Sequence, residues 1–112
     1  MQHKMKLTTD PFEQISTGRK VIESRLYDDK RMQISIGDEI VFSENDNSSM
    51  SVTTRVKGLI RYQSFKDMFN DHDPALFGGK TRESLLKQIH DFYTDEDEQR
   101  YGVIGIRIEL LD

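Results

Sequence analysis

Apolar and polar positions alternate at the start of the chain, where Met5 and Leu7 are separated by Lys4 and Lys6. That is the pattern of a short half-buried strand over residues 3–7. Asp10 followed by Pro11 predicts a helix start, because aspartate caps free N–H groups and proline lacks the N–H that a first turn leaves unpaired. Phe12 and Ile15 share one face of this helix, and Gly18 ends it. Residues 21–27, from Val21 to Tyr27, predict a second strand, with Ile22 and Leu26 on one face and Glu23 and Arg25 on the other. Asp28 to Arg31 is a polar connection, and Gly37-Asp38 is a turn before a third strand at 39–43. Turn-forming residues fill Glu44 to Ser49, and Met50 to Tyr62 then supplies one long strand, or two with a kink at Gly58.

From Ser64 the period lengthens. Ser64 caps a short helix carrying Phe65, Met68 and Phe69, and Asp73-Pro74 and Gly78-Gly79 break the pattern. Thr81 to Ser84 begin another helix, with Leu85, Leu86, Ile89, Phe92 and Tyr93 as its apolar stripe. The closing strand runs from Val103 to Leu110, with Ile106, Ile108 and Leu110 on one face and Arg107 and Glu109 on the other. Consecutive strands with helices between them predict an α+β fold: a small antiparallel or mixed β-barrel with inserted helices, rather than alternating βαβ units. No repeat, low-complexity tract or linker divides residues 1–112, so a single domain is expected.

Charge narrows the partners. Sixteen Lys and Arg against twenty Asp and Glu give a net charge of -4, which excludes a protein that coats nucleic acid by bulk charge. The halves differ in sign, however: residues 1–66 carry +2 and residues 67–112 carry -6. Arg55, Lys57, Arg61 and Lys66 form one basic run, and Arg19, Lys20, Arg25, Lys30 and Arg31 form another. If the two meet they make a basic face; otherwise they are solvated charges that discourage strand-edge pairing. The absence of Cys removes disulfides, thiol nucleophiles and thiolate metal sites, and makes the cytoplasm the expected compartment. No signal-peptide pattern opens the chain and no apolar run approaches membrane-spanning length, so no membrane association is expected. His3, His72 and His90 are too scattered for a zinc spacing, and no metal or cofactor is predicted. Asp95 to Glu98 reads as a solvated loop or helix start. Gly78 to Thr81 lacks the full spacing of a phosphate-binding loop.

The most informative stretch is Gly18-Arg19-Lys20-Val21-Ile22-Glu23-Ser24-Arg25, which resembles the G-x-K-x-x-E-x-R signature of the ASCH family. All four fixed positions are present, as Gly18, Lys20, Glu23 and Arg25. The Pro11-Phe12 helix, Gly37-Asp38-Glu39-Ile40, the long strand ending at Tyr62 with Ser64-Phe65, and Tyr101 to Ile106 agree with that family in order and spacing. The resemblance implies a PUA-like barrel with a cleft beside the signature, binding RNA or a nucleotide-like molecule, as a monomer or weak homo-oligomer. Lys20 and Arg25 would hold an anionic or carbonyl-rich group, and Glu23 would accept hydrogen bonds from an exocyclic amine. Tyr27, Tyr62 and Phe65 are candidates for stacking on a base.

Two other readings stand beside this one. One branch of the family removes the acetyl group from N4-acetylcytidine, with a catalytic Lys, a Thr three residues later and a Glu just before the long helix. Lys20 matches the first, but Glu23 stands at the Thr position, Ser24 should face the opposite side of the strand, and Phe77 to Thr81 holds no acid. If the chain is an enzyme, its catalytic pair would be Lys20 and Glu23 activating water. The second reading is a protein-interaction module using the acidic segment 91–98. Taken without any family, the motif is a cation followed by an acid and a base on one strand face, which is also what an idle ion pair looks like.

Overall fold

The computed structural model describes residues 1–47 and 49–111. Five strands, β1 (Gln2–Leu7), β2 (Ile22–Leu26), β3 (Glu39–Glu44), β4 (Ser51–Tyr62) and β5 (Val103–Leu111), form one sheet in the order β1-β3-β4-β5-β2. β1 runs parallel to β3 and every other pairing is antiparallel, so the sheet is mixed and curls into a half-barrel. Four helices complete the fold: α1 (Thr9–Ser16), α2 (Phe65–Asp71), α3 (Arg82–Ile89) and α4 (Asp95–Tyr101). None of them is long and apolar enough to cross a membrane.

Both faces of the sheet are buried, by different elements. On one face Met5, Ile40, Phe42, Val56, Ile104 and Ile106 pack with Phe12 and Ile15 of α1. On the other, Ile22, Leu26 and Val103 pack with Phe65, Met68 and Phe69 of α2 and Leu85 of α3. Gly105 allows the second packing. A Cβ there would lie 2.8 Å from Met68 Sδ and 3.2 Å from Ile22 Cγ2.

The register of β4 shifts between Val56 and Gly58, leaving Lys57 as the extra residue of a bulge. Val56 and Leu59, three apart, consequently both meet the first face, and Ile60 and Tyr62 turn to the second. The expected kink is therefore real and sits one residue before Gly58.

Several local expectations are corrected. Thr8, rather than Asp10, occupies the N-cap position of α1, so Asp10 lies in the first turn, where its carboxylate suits the positive end of the helix dipole. α3 ends at Ile89, so Phe92 and Tyr93 belong to the turn that follows rather than to the helix stripe. The acidic run at 95–98 is a helix start, as one of its two readings has it: it forms the first turn of α4, fixed by a capping box between Thr94 and Asp97, but Glu98 is buried rather than solvated. Short 3-10 turns at Arg31–Gln33 and Pro74–Phe77 carry no signal in the hydrophobic pattern. The turn expected at 44–49 includes Ser48, which lies outside the described residues.

Candidate functional site

The sequence builds the site at the exit from α1. Gly18, with a φ of +80°, takes the left-handed conformation that reverses the chain, and the Arg19 and Lys20 amides both donate to the Gln14 carbonyl. The turn sets Lys20 at the entry to β2. Glu23 and Arg25 then fall on the sheet face of their cross-strand partners, Ile106 and Ile104, as the alternation predicts.

β2 is an edge strand paired only with β5. The Val21 carbonyl accepts from the Ile108 amide and the Tyr27 amide donates to the Gly102 carbonyl, so the odd residues of β2 face β5 and the even ones face the free edge. Glu23 serves that free edge: its Oε1 accepts from the Ser24 amide at 3.2 Å.

The three signature side chains converge. Lys20 Nζ lies 2.7 Å from Glu23 Oε1. Arg25 donates to Glu23 Oε2 through Nε at 2.9 Å and places Nη2 2.7 Å from the same oxygen. The Glu23 side chain is 4 % exposed, and those of Lys20 and Arg25 are 11 % and 13 %. Burial pushes the Glu23 carboxyl up, but the Lys20 and Arg25 charges and hydrogen bonds outweigh it and hold the group at about 2. Burial also works against the Arg25 charge, and Glu23 overcomes it, raising Arg25 above its ordinary value. Glu23 is thus a permanent anion whose two oxygens are already engaged, and a weak base.

Beside this cluster lies a cavity of about 150 Å³. An engineered cavity of about that size holds one benzene ring, so there is room here for a single ring and not for a duplex. Lys20, Glu23 and Arg25 form its charged wall, and Phe69, Phe77 and Leu85 belong to its apolar wall. Lys6 and Phe92 also border it.

The three candidate stacking aromatics are not brought to this cavity. Phe65 is fully buried, stacked on Phe69 at 6.1 Å and on Tyr93 at 5.7 Å, which leaves no face for a ligand. Tyr27 has the Arg61 guanidinium 3.8 Å over its ring. The Tyr62 hydroxyl donates to Asp71 at 2.9 Å and lies 3.2 Å from His72 Nε2. The expectation that they stack on a ligand rests on their lying near the signature; instead Tyr27 and Tyr62 are held at a rim and α2 carries Phe65 into the core. Phe77 and Phe92 line the cavity unheralded, since they come from segments far along the chain.

The two basic runs meet only in part. Arg61 and Arg25 both flank Ile104 across β5 and share a face, whereas Arg55 lies on the opposite side, 3.2 Å from Glu39. A second polar group forms where the spacing gave no hint. His90 Nε2 lies 3.2 Å from Glu98 and 3.5 Å from Asp95, and the three potential ligand atoms fall within 4.8 Å of one another. Glu98 is buried and also accepts the Phe65 amide at 2.8 Å, tying α4 to the start of α2.

The crystal structure of the hypothetical protein PH0355 superposes with a TM-score of 0.87 at 38 % identity, covering 99 % of this chain and all of the other. A solution NMR structure of a Pyrococcus furiosus protein matches at 36 % identity and a TM-score of 0.76, covering 100 % of this chain and 99 % of that one. An ASCH domain from Lactobacillus crispatus shares the fold at a TM-score of 0.64 and only 10 % identity, over 97 % of this chain and 79 % of its own. The comparison with curated proteins found no match. The model of the ASCH domain matches residues 5–112, from the first strand through the signature to the last, and the chain belongs to the ASCH domain family.

Proposed function

We propose that this protein binds single-stranded RNA by receiving one nucleotide in the cavity beside Lys20, Glu23 and Arg25. The observation that carries the proposal is a nearly buried cluster of two cations about one carboxylate, forming one wall of a ring-sized hollow that Phe69, Phe77 and Leu85 also line. One carboxylate against two cations leaves a net positive charge at the wall, which favours a carbonyl or an oxyanion. Glu23 organises the two cations rather than reading an amine, because its oxygens are already taken by Lys20, Arg25 and the Ser24 amide. One of the three Lys20 N–H groups is directed at Glu23, so the ammonium keeps donors for a ligand. The family's reputed attachment to RNA fits this chemistry, and the overall acidity fits a short strand better than a long duplex.

A titration with a mixed-sequence single-stranded hexaribonucleotide, followed by amide chemical shifts, tests the proposal. Shifts should concentrate on Lys6, Ser24, Phe77 and Leu85, and Lys20→Met should weaken binding by about tenfold. No binding, or perturbations confined to the opposite side of the sheet, would overturn it.

A further inference from the structure

Ten aromatic residues occur in this chain, and all but one are buried or half-buried; Phe92 is the exception, 64 % exposed. It stands where the cavity opens. The Phe92 and Tyr93 amides both donate to the Ile89 carbonyl, at 3.1 and 3.0 Å, so both residues are fixed in one tight turn after α3. Tyr93 goes inward and stacks on Phe65, which leaves Phe92 outward. Leaving a phenylalanine in water forgoes the apolar burial that the other five in the chain obtain, so its place at the mouth calls for a reason.

We propose that Phe92 is the stacking platform for a second nucleotide, adjoining the one held in the cavity, so that the ligand is a strand of at least two nucleotides rather than a free nucleotide. The inference rests on the cavity being a nucleotide site. Because the cavity admits one ring, the next base of a strand must stay outside, and the exposed ring at the rim offers it a face. The surroundings of Phe92 settle which part of the nucleotide makes contact. Asp91 precedes it, and Asp95 and Glu96 follow on α4, all three exposed, so phosphates are repelled there and drawn toward Lys6 and Lys20. An uncharged base face is what remains to meet the ring.

Calorimetry with each ribonucleoside monophosphate, and with the dinucleotide that extends it, tests this on the wild type, Phe92→Ala and Phe92→Trp. In the wild type the second nucleotide should tighten binding by about tenfold, as stacking of one base provides. In Phe92→Ala the ratio of dinucleotide to mononucleotide affinity should collapse toward one, whatever the mononucleotide affinity, and Phe92→Trp should restore it. A dinucleotide whose second position is abasic should gain nothing from the wild type. If mononucleotides bind but the second base adds nothing, or adds as much in Phe92→Ala, the platform is refuted while the cavity reading survives. If neither ligand binds, both fail.

Discussion

Arg25 reaches from one edge of the half-barrel to the other, donating through Nη2 to the Lys6 carbonyl at 3.1 Å. The two free edges of the sheet belong to β1 and β2, so this hydrogen bond crosses the open seam. Lys6 is an even residue of β1, while Met1 and Leu7 direct their carbonyls toward the β3 side, so its carbonyl points to the free edge and needs a donor from outside the sheet. A single guanidinium therefore forms part of the cavity wall and helps to hold the two edges that frame it.

Removing the anion at the centre of the cluster should cost more than removing either cation. Glu23→Gln leaves Lys20 and Arg25 facing each other in a nearly buried site without a counter-charge, with an expected loss of about 3–5 kcal/mol. Lys20→Met keeps the Arg25–Glu23 pair and should lose clearly less. Urea unfolding of the two variants beside the wild type measures the difference, and equal losses would contradict the central role of Glu23.

Acid should destabilise the protein over a defined range. Glu23 titrates at about 2 in the folded state against an ordinary value of 4.5, so its contribution is fully present above that value and is lost as pH falls from about 4.5 to 2. Asp38, held at about 2 by hydrogen bonds from His3 and the Ser35 amide, loses its contribution in the same direction from 3.8 downward. Unfolding free energies at pH 7, 4.5 and 2.5 should be nearly level over the first interval and fall over the second. The fall should be shallower in Glu23→Gln.

The strand carrying the signature was legible because its residues alternate, and Glu23 and Arg25 take the face that alternation assigns them. What residue order conceals is the non-local pairing. Nothing local announces that β1 runs parallel to β3, or that β2 joins β5 some eighty residues later. The aromatics are misplaced for the same reason: Tyr62 ends the long strand and Phe65 lies just beyond it, yet α2 folds Phe65 into the core and leaves Tyr62 paired with Asp71. Phe92 looks like one more member of a helix stripe until α3 stops at Ile89 and the turn leaves its ring outside. His90 meets Asp95 and Glu98 for a comparable reason, because the turn between α3 and α4 folds the second helix back on the end of the first.

Hydrolysis of acetylated cytidine should not occur. A carboxylate held ionised at about 2 is poorly matched to removing a proton from water near neutrality. Incubation with N4-acetylcytidine and chromatographic detection of released cytidine checks this. Turnover that disappears in Lys20→Ala would instead locate a hydrolase in this cavity.

Close packing of β5 against α2 and β2 makes Gly105, the cross-strand partner of Ser24, intolerant of a side chain. Gly105→Ala sets a methyl group against Met68 Sδ and Ile22 Cγ2, and a loss of about 1–3 kcal/mol is expected from thermal or urea unfolding. The Tyr27→Phe variant provides the contrast for binding: its ring lies under Arg61 and not on the cavity, so RNA affinity should stay within twofold of the wild type.

The partnership of β2 with β5 also bears on the order in which the protein matures during synthesis. Residues 20–25 are synthesised before the strand against which they hydrogen-bond, which is made of residues 103–111. Until that segment emerges, Glu23 has no ladder to fix its direction, and the nascent chain carries the motif without the hollow. The hollow is therefore completed only once β5 has been made, and a product cut short before β5 would hold every signature residue without it.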